Sequence, residues 1–149
     1  MQETVFGGYL KNKNKTKITK KHGGARTTRK RTVSKKQFAS SITTMFLGML
    51  NTVKLYHWKT HSYAQHVATD ELYLKLNKHI DKFMEVFLGK DDGRLEKLDK
   101  KIKLSHPKTL EEMKTHLYKY RDYLTDMNKV LDTEKDSDLL NVRDEILAD

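Results

Sequence analysis

Apolar residues are spaced differently in the first quarter of the chain and in the remainder. From residue 38 onward, large apolar side chains recur at steps of three and four, which is the spacing of an amphipathic helix. Residues 9–33 show no such period and hold almost no large apolar groups. A segment of this kind cannot bury enough surface to offset the entropy of ordering it. We therefore predict an extended arm over residues 1–33 and a helical domain over residues 34–149.

The first two predicted helices each begin at a capping box. Ser34 and Gln37 form an S-x-x-Q box ahead of apolar residues at helical spacing, which predicts a helix over 35–59. A second S-x-x-Q box begins at Ser62 and predicts a helix over 62–88, with a glycine directly after its last residue. Because only a few residues join these helices, we expect them to pack antiparallel.

Two further helices follow in the C-terminal half. A T-x-x-E box from Thr109 to Glu112 opens the most regular apolar repeat in the chain and predicts a helix over 109–132. Ser137 is the predicted cap of a short last helix over 137–148. The polar connection between the second and third helices carries apolar residues that could form one more short helix: Leu95, Leu98 and Ile102.

Composition supports an all-α fold and narrows the setting of the protein. The chain has one proline and no cysteine, so disulfides are excluded. No apolar run reaches the length of a membrane span, and residues 1–20 lack the apolar stretch of a signal peptide. The expected location is the cytoplasm, the nucleus or a virion interior. We predict neither membrane association nor secretion.

The net charge of +10 belongs to the N-terminal segment. Residues 1–37 hold 12 Lys/Arg and one acidic residue, whereas residues 38–149 hold 18 Lys/Arg and 19 Asp/Glu. A flexible basic segment can follow phosphates without reading bases, so we predict salt-sensitive nucleic-acid binding. The candidate contacts are Lys11, Lys13, Lys15, Lys17, Lys20, Lys21, Arg26, Arg29, Lys30, Arg31, Lys35 and Lys36. A solvated tail that aids solubility is the plainer alternative.

The second helix carries four candidate metal ligands on one face. His66, Asp70, Asp81 and Glu85 fall at about 0°, 40°, 60° and 100° around the helix axis. Asp70 and Asp81 are separated by about 16 Å along the axis, so one chain cannot bring both pairs to a single ion. Charged residues on an amphipathic helix are usually its solvated face, and this reading competes with a ligand role.

A two-fold axis would bring the separated ligands together. The residue numbers of the pairs 66/85 and 70/81 have the same sum, so an antiparallel copy of the helix would place His66 near Glu85 and Asp70 near Asp81. Carboxylates with imidazole suit iron or manganese, and His57 at the end of the first helix could add a ligand. The pattern predicts a metal-bridged homo-oligomer that pairs through the second helix.

These residues resemble the pattern of the Dps proteins, the mini-ferritin branch of the ferritin-like superfamily. That family has His-Trp near the end of its first helix, followed on the second helix by His, Asp at +4, Asp at +15 and Glu at +19. In this chain the matching residues are Tyr56-His57-Trp58, His66, Asp70, Asp81 and Glu85. The resemblance covers about residues 38–90 with specific residues and the third helix by pattern alone.

The resemblance implies an all-α, ferritin-like four-helix bundle with a short fourth helix and the extended basic N-terminal arm. It also implies an iron-oxidising site in which one chain supplies His57, His66 and Asp70 and a second supplies Asp81 and Glu85. A hollow shell and DNA binding through the arm are further implications. The interval from His57 to His66 is about one helical turn shorter than in the family.

Some aromatic and histidine residues fall outside this ligand set, and a second functional class stays open. We expect Trp58 to pack in the core beside the site and His61 and His79 to be ordinary surface or boundary residues.

Glycine-punctuated basic tails also resemble those of virion proteins from large DNA viruses. The competing hypothesis is therefore a structural, capsid-associated protein that keeps the fold and uses the arm as a tether to capsid or virion proteins.

Overall fold

The computed structural model describes residues 35–90, 94–95 and 101–149. These residues form α-helices and one short 3-10 helix, without a strand, so this part of the chain is all-helical as predicted. The predicted arm with its basic contacts, the box residue Ser34 and Leu98 lie outside the described residues or have side chains that are not described. The helices are α1 Lys35–Lys59, α2 Tyr63–Gly89, α3 Leu110–Asp126 and α4 Ser137–Ala148.

Two of the predicted helix starts are capped as expected. The Ser62 hydroxyl accepts a hydrogen bond from the Gln65 N–H at 3.4 Å, and the Thr109 hydroxyl accepts one from the Glu112 N–H at 3.2 Å. These bonds satisfy N–H groups that the first helical turn leaves without a partner. At the start of α4, the cap position is occupied by Asp136 rather than by the predicted Ser137.

The third helix ends earlier than its apolar repeat predicted, at Asp126 instead of 132. The chain then tightens into a 3-10 turn over Met127–Lys129, in which the Met127 carbonyl accepts N–H bonds from the next turn at 2.9 and 2.8 Å. Met127 stays buried through this change. The apolar spacing therefore continues after the α-helical hydrogen bonding has stopped.

Aromatic pairs fix the packing of α1 on α2. Phe46 meets Phe83 edge-to-face with ring centroids 5.2 Å apart, and Phe38 meets Phe87 in the same manner at 5.5 Å. The beginning of α1 therefore lies beside the end of α2, and the two helices run antiparallel as predicted. Each fully buried large side chain stabilises such a core by roughly 1.5–3 kcal/mol before entropy is counted.

The fourth helix packs antiparallel on α2. Lys90, directly after α2, lies 2.7 Å from Asp138 at the start of α4. His79, a little past the middle of α2, lies 2.7 Å from Asp149 at the end of α4. With its 12 residues, α4 therefore covers only the C-terminal half of the 27-residue α2.

Two tyrosines set the direction of α3 against α1. The Tyr123 hydroxyl is 3.1 Å from the Ser41 hydroxyl, and the Tyr120 hydroxyl is 2.7 Å from the Thr52 hydroxyl. The helix α3 is therefore antiparallel to α1 and runs in the same direction as α2. It follows that the connection between α2 and α3 joins opposite ends of the bundle.

That connection shows no helix in its described part. Residues 94–95 and 101–108 are non-helical, so the short helix predicted around Leu95 and Ile102 is not found in them. Pro107 is buried just ahead of α3. No helix within the described ranges combines the length and the hydropathy needed to cross a bilayer.

Candidate metal site

The end of α1 and the first turns of α2 bring two histidines into contact. The His57 and His66 rings stack with centroids 3.9 Å apart and planes 27° from parallel. His57 is buried, with 7% of its surface exposed. The nine-residue interval between these histidines, shorter than in the mini-ferritins, thus spans a turn that places the two rings together.

Each histidine donates a hydrogen bond to the backbone of the other. His57 Nδ1–H donates to the His66 carbonyl at 3.0 Å, and His66 Nδ1–H donates to the His57 carbonyl at 3.2 Å. A carbonyl oxygen only accepts, so both protons must be on Nδ1. In a neutral ring this leaves the lone pair on Nε2, which is the atom that can bind a metal. The reciprocal bonds therefore fix both rings in a ligating tautomer.

Asp70 lies beside His57, one helical turn beyond His66. Its Oδ1 atom is 3.7 Å from His57 Nε2 and 3.5 Å from Lys54 Nζ. The Lys54 ammonium also lies 4.6 Å from the centre of the Tyr73 ring. A half-exposed carboxylate is thus held between an imidazole and an ammonium.

A network of side chains holds the turn between α1 and α2. The Gln65 side-chain oxygen accepts hydrogen bonds from Tyr56 at 2.7 Å and from Thr60 at 2.8 Å. The buried Thr69 hydroxyl donates to the Gln65 carbonyl at 2.7 Å and lies 3.5 Å from His57 Nδ1. Because these groups tie the end of α1 to α2, the histidine rings are held by both helices.

The other two predicted ligands stand apart from this cluster. Asp81 and Glu85 are exposed, three to four helical turns farther along α2. Among the residues that the structure describes, no three His, Asp or Glu side chains are placed to hold one metal ion. A single chain therefore stacks His66 on His57 and places Asp70 3.7 Å from His57, without arranging these three around one ion, and leaves Asp81 and Glu85 at a distance.

The outer face of α2 is partly apolar. Tyr63, Val67 and Leu74 expose 82%, 45% and 63% of their surface. Together with Asp81 and Glu85 they lie within about 40° of one another around the helix axis. The face that carries the two distant carboxylates is therefore also a stripe of solvent-exposed apolar side chains.

The expectation that Trp58 packs in the core is wrong. The indole is 70% exposed, because Trp58 lies about 100° farther around the helix than the buried His57 and is therefore on the solvent side. His61 is exposed and His79 is a boundary residue, as expected. His79 Nδ1 is 2.7 Å from the Asp149 carboxylate, so it belongs to the contact of α2 with α4.

Lys54 and Thr69 were not among the predicted site residues. Lys54 precedes His57 by three positions, so it shares a helix face with that histidine, and this spacing is a signal that the sequence does contain. Thr69 carries no comparable signal, since an isolated threonine on a helix is common. Its role depends on the crossing of α1 and α2.

Comparison with known proteins identifies one family. The model of a family described as a family of unknown function (DUF5856) matches residues 57–149. The matched segment begins at His57 and includes all five predicted ligands. No curated protein and no solved structure matches the chain significantly.

Proposed function

The chain belongs to this family of unknown function, and from its site we propose that it is a Dps-like protein that oxidises Fe(II) between subunits and binds DNA through its N-terminal arm. The observation that carries the proposal is the locked histidine pair. Metal-binding histidines usually donate their second N–H to a carbonyl or carboxylate, which orients the ring and raises its basicity. His57 and His66 both have this arrangement.

The donor set fits iron. Neutral imidazole and carboxylate are ligands of Fe(II), and the 3.7 Å between His57 Nε2 and Asp70 Oδ1 is close enough for both atoms to bind the same ion. The His66 ring lies against the His57 ring, with centroids 3.9 Å apart. These residues would hold Fe(II) as substrate, which gives up one electron per ion to an oxidant such as O₂ or peroxide.

The site would be completed by a second copy of the chain. A two-fold axis through the middle of α2 sets Asp81 and Glu85 of one copy opposite Asp70 and His66 of the other. The exposed apolar stripe on the same face would stabilise such an interface, because its burial removes apolar surface from water.

The connectivity supports a ferritin-like fold within this proposal. One long connection joins opposite ends of the bundle, between α2 and α3, and the other connections are short. Ferritin-like folds are the class of four-helix bundle with one such crossover. The short α4 is a departure from a full-length bundle, because it covers the C-terminal half of α2 and not the N-terminal half that carries His66 and Asp70.

The DNA-binding part of the proposal depends on charge alone. Residues 1–37 contain twelve Lys/Arg and one acidic residue, whereas the charge of the described helices is nearly balanced. A protein beginning at Ser34 should lose most of its DNA affinity and most of its salt dependence. If the truncation leaves the DNA affinity unchanged, the polyanion site lies on the helices instead.

Iron oxidation is tested by removing the distant carboxylates. We expect Fe(II), added without oxygen and then exposed to O₂ or peroxide, to be oxidised rapidly by the parent and only at the background rate by an Asp81→Ala plus Glu85→Ala variant. The matched control is Asp122→Ala plus Glu134→Ala, which removes the same charge from exposed positions outside α2.

Equal rates in the parent and the Asp81/Glu85 variant would end the enzymatic proposal. In that case the structural, capsid-associated role becomes the favoured function. A native mass measurement then separates the outcomes, since a closed shell, a dimer and a monomer differ widely in mass.

A further inference from the structure

A cavity lies at the end of the bundle where α1, α2 and α3 meet. Its volume is about 420 Å³ and it opens to solvent. The walls come from the last residues of α1, the turn that follows, and the residues at the start of α3. The basic side chains among them are Lys59, His61 and Lys108.

The lining of this cavity has one sign of charge. No carboxylate contributes to its walls, although the described helices as a whole carry about as many acidic as basic residues. Among the salt bridges of the described residues, none involves Lys59, His61 or Lys108, whereas Lys82 and Lys90 are both paired with acidic side chains. The cavity therefore gathers two lysines and a histidine that form no salt bridge with other described residues.

The remaining polar walls add hydrogen-bonding capacity of the matching kind. Ser62 and Thr109 contribute hydroxyl groups to the lining, and their oxygens accept the capping N–H groups, so their protons can be donated to a ligand. The Thr60 hydroxyl, also in the lining, already donates to Gln65. Ser62 and Thr109, the cap residues of α2 and α3, both border the cavity. Hydroxyls and ammonium groups together are the usual donors to phosphoryl oxygens.

We propose that this cavity binds a phosphoryl oxyanion. The site goes beyond the proposed function, which assigns polyanion binding to the arm and iron to the half-site of His57, His66 and Asp70. The cavity is larger than one phosphate needs and is open on one side, so the group could belong to inorganic phosphate or to the backbone of a nucleic acid. The chemistry that recognises it is the same for both.

Protection of the lysines from an amine-reactive reagent tests the proposal on the full chain. We expect Lys59 and Lys108 to react at least about threefold more slowly in inorganic phosphate than in chloride of equal ionic strength, as mass action requires once the site is mostly filled. Lys75 and Lys119, which are exposed elsewhere on the helices, should react at the same rate in both salts. Peptide mass spectrometry gives each rate separately.

A parallel experiment with a short DNA duplex distinguishes the two sources of phosphate. Protection by both probes assigns the cavity to nucleic-acid backbone that also accepts free phosphate, and protection by phosphate alone assigns it to a small anion. Protection by the duplex alone assigns it to a phosphodiester. If neither probe protects Lys59 and Lys108, or if all lysines are protected equally, the proposal is wrong.

Variants supply the second measurement. Calorimetric titration with inorganic phosphate should show binding to the parent that is lost in Lys59→Met plus Lys108→Met and kept in the matched variant Lys75→Met plus Lys119→Met. Methionine keeps much of the aliphatic stem, so the helical content measured by circular dichroism should not change. Equal phosphate binding by both variants would overturn the assignment.

Discussion

Arg143 lies at the contact between α3 and α4 with 5% of its surface exposed. One terminal nitrogen donates to the Leu124 carbonyl at 3.0 Å and to the Asn128 side-chain oxygen at 3.0 Å. The Nε atom donates to Asp144 at 2.7 Å. The guanidinium therefore satisfies a carbonyl at the point where α3 changes into the 3-10 turn. We predict that Arg143→Met destabilises the protein by more than any exposed charge substitution does.

The expected size follows from these bonds. Methionine retains part of the buried stem but provides no donor, so the Leu124 carbonyl and the Asn128 oxygen lose their charged partner. Hydrogen bonds to charged groups contribute roughly 1.5–3 kcal/mol. Because the Leu124 carbonyl keeps the Met127 N–H as a donor and Asn128 is exposed to water, we expect a loss of about 1.5–3 kcal/mol. Asp144 is 63% exposed, so Asp144→Asn should cost less than about 1 kcal/mol.

Urea unfolding followed by circular dichroism, at one fixed protein concentration, measures the loss in free energy of unfolding. The fixed concentration matters because oligomerisation raises apparent stability by mass action. Arg143→Lys should be intermediate, since one ammonium does not reproduce the planar fork of the guanidinium. If Arg143→Met unfolds at the same urea concentration as the parent, the buried bonds do not hold the end of α3.

Three further predictions concern the core, the site and the pH dependence. Phe83→Ala should lower the free energy of unfolding by about 3–5 kcal/mol in urea melts, because a fully buried ring leaves a cavity. Lys54→Met should tighten Zn²⁺ binding about tenfold in calorimetry, because it removes the ammonium that competes for Asp70; unchanged affinity would contradict this. The Lys90 ammonium lowers the pKa of Asp138 below its ordinary 3.8, so this contact stabilises the fold above that pH and is lost as pH falls through the lowered value. Asp138→Asn should therefore flatten acid unfolding measured by circular dichroism below about pH 4.

The helices could be predicted because their signals are local. The boxes at Ser62 and Thr109 act within one turn, and the structure forms both. The glycine at 89, predicted to follow the second helix directly, is the last residue of α2. Apolar spacing predicted the buried face of each helix for the same reason.

Features that depend on contacts between helices could not be predicted in this way. Arg143 looks like a surface residue in the sequence, and it is buried because its partners come from the end of α3. The apolar repeat of α3 continues past Asp126, so the repeat alone does not predict that the α-helix changes into a 3-10 turn there. Trp58 is apolar and next to a ligand, yet the crossing of α1 and α2 leaves its ring in solvent.

The histidine pair shows the same division between local and long-range information. Its spacing is visible in the sequence, but a nine-residue interval could equally have displaced His57 from the site. The outcome is decided by the turn over residues 60–62 and by Gln65, which binds Tyr56 and Thr60 and so brings the last turn of α1 onto α2. The turn places a backbone carbonyl oxygen beside Nδ1 of each ring, and the proton of each ring is therefore on Nδ1.

The symmetry that would complete the proposed site also makes sense of the apolar stripe on α2. If residues whose numbers add to 151 face each other, Tyr63 meets Leu88 and Val67 meets Met84 of the second copy. The same pairing sets Asp70 against Asp81, and two carboxylates at close range repel unless a cation lies between them. Lys54 balances one of these charges and a divalent ion would balance the rest. The proposal therefore requires that metal binding and association of two chains stabilise each other, so that each strengthens the other by the same factor.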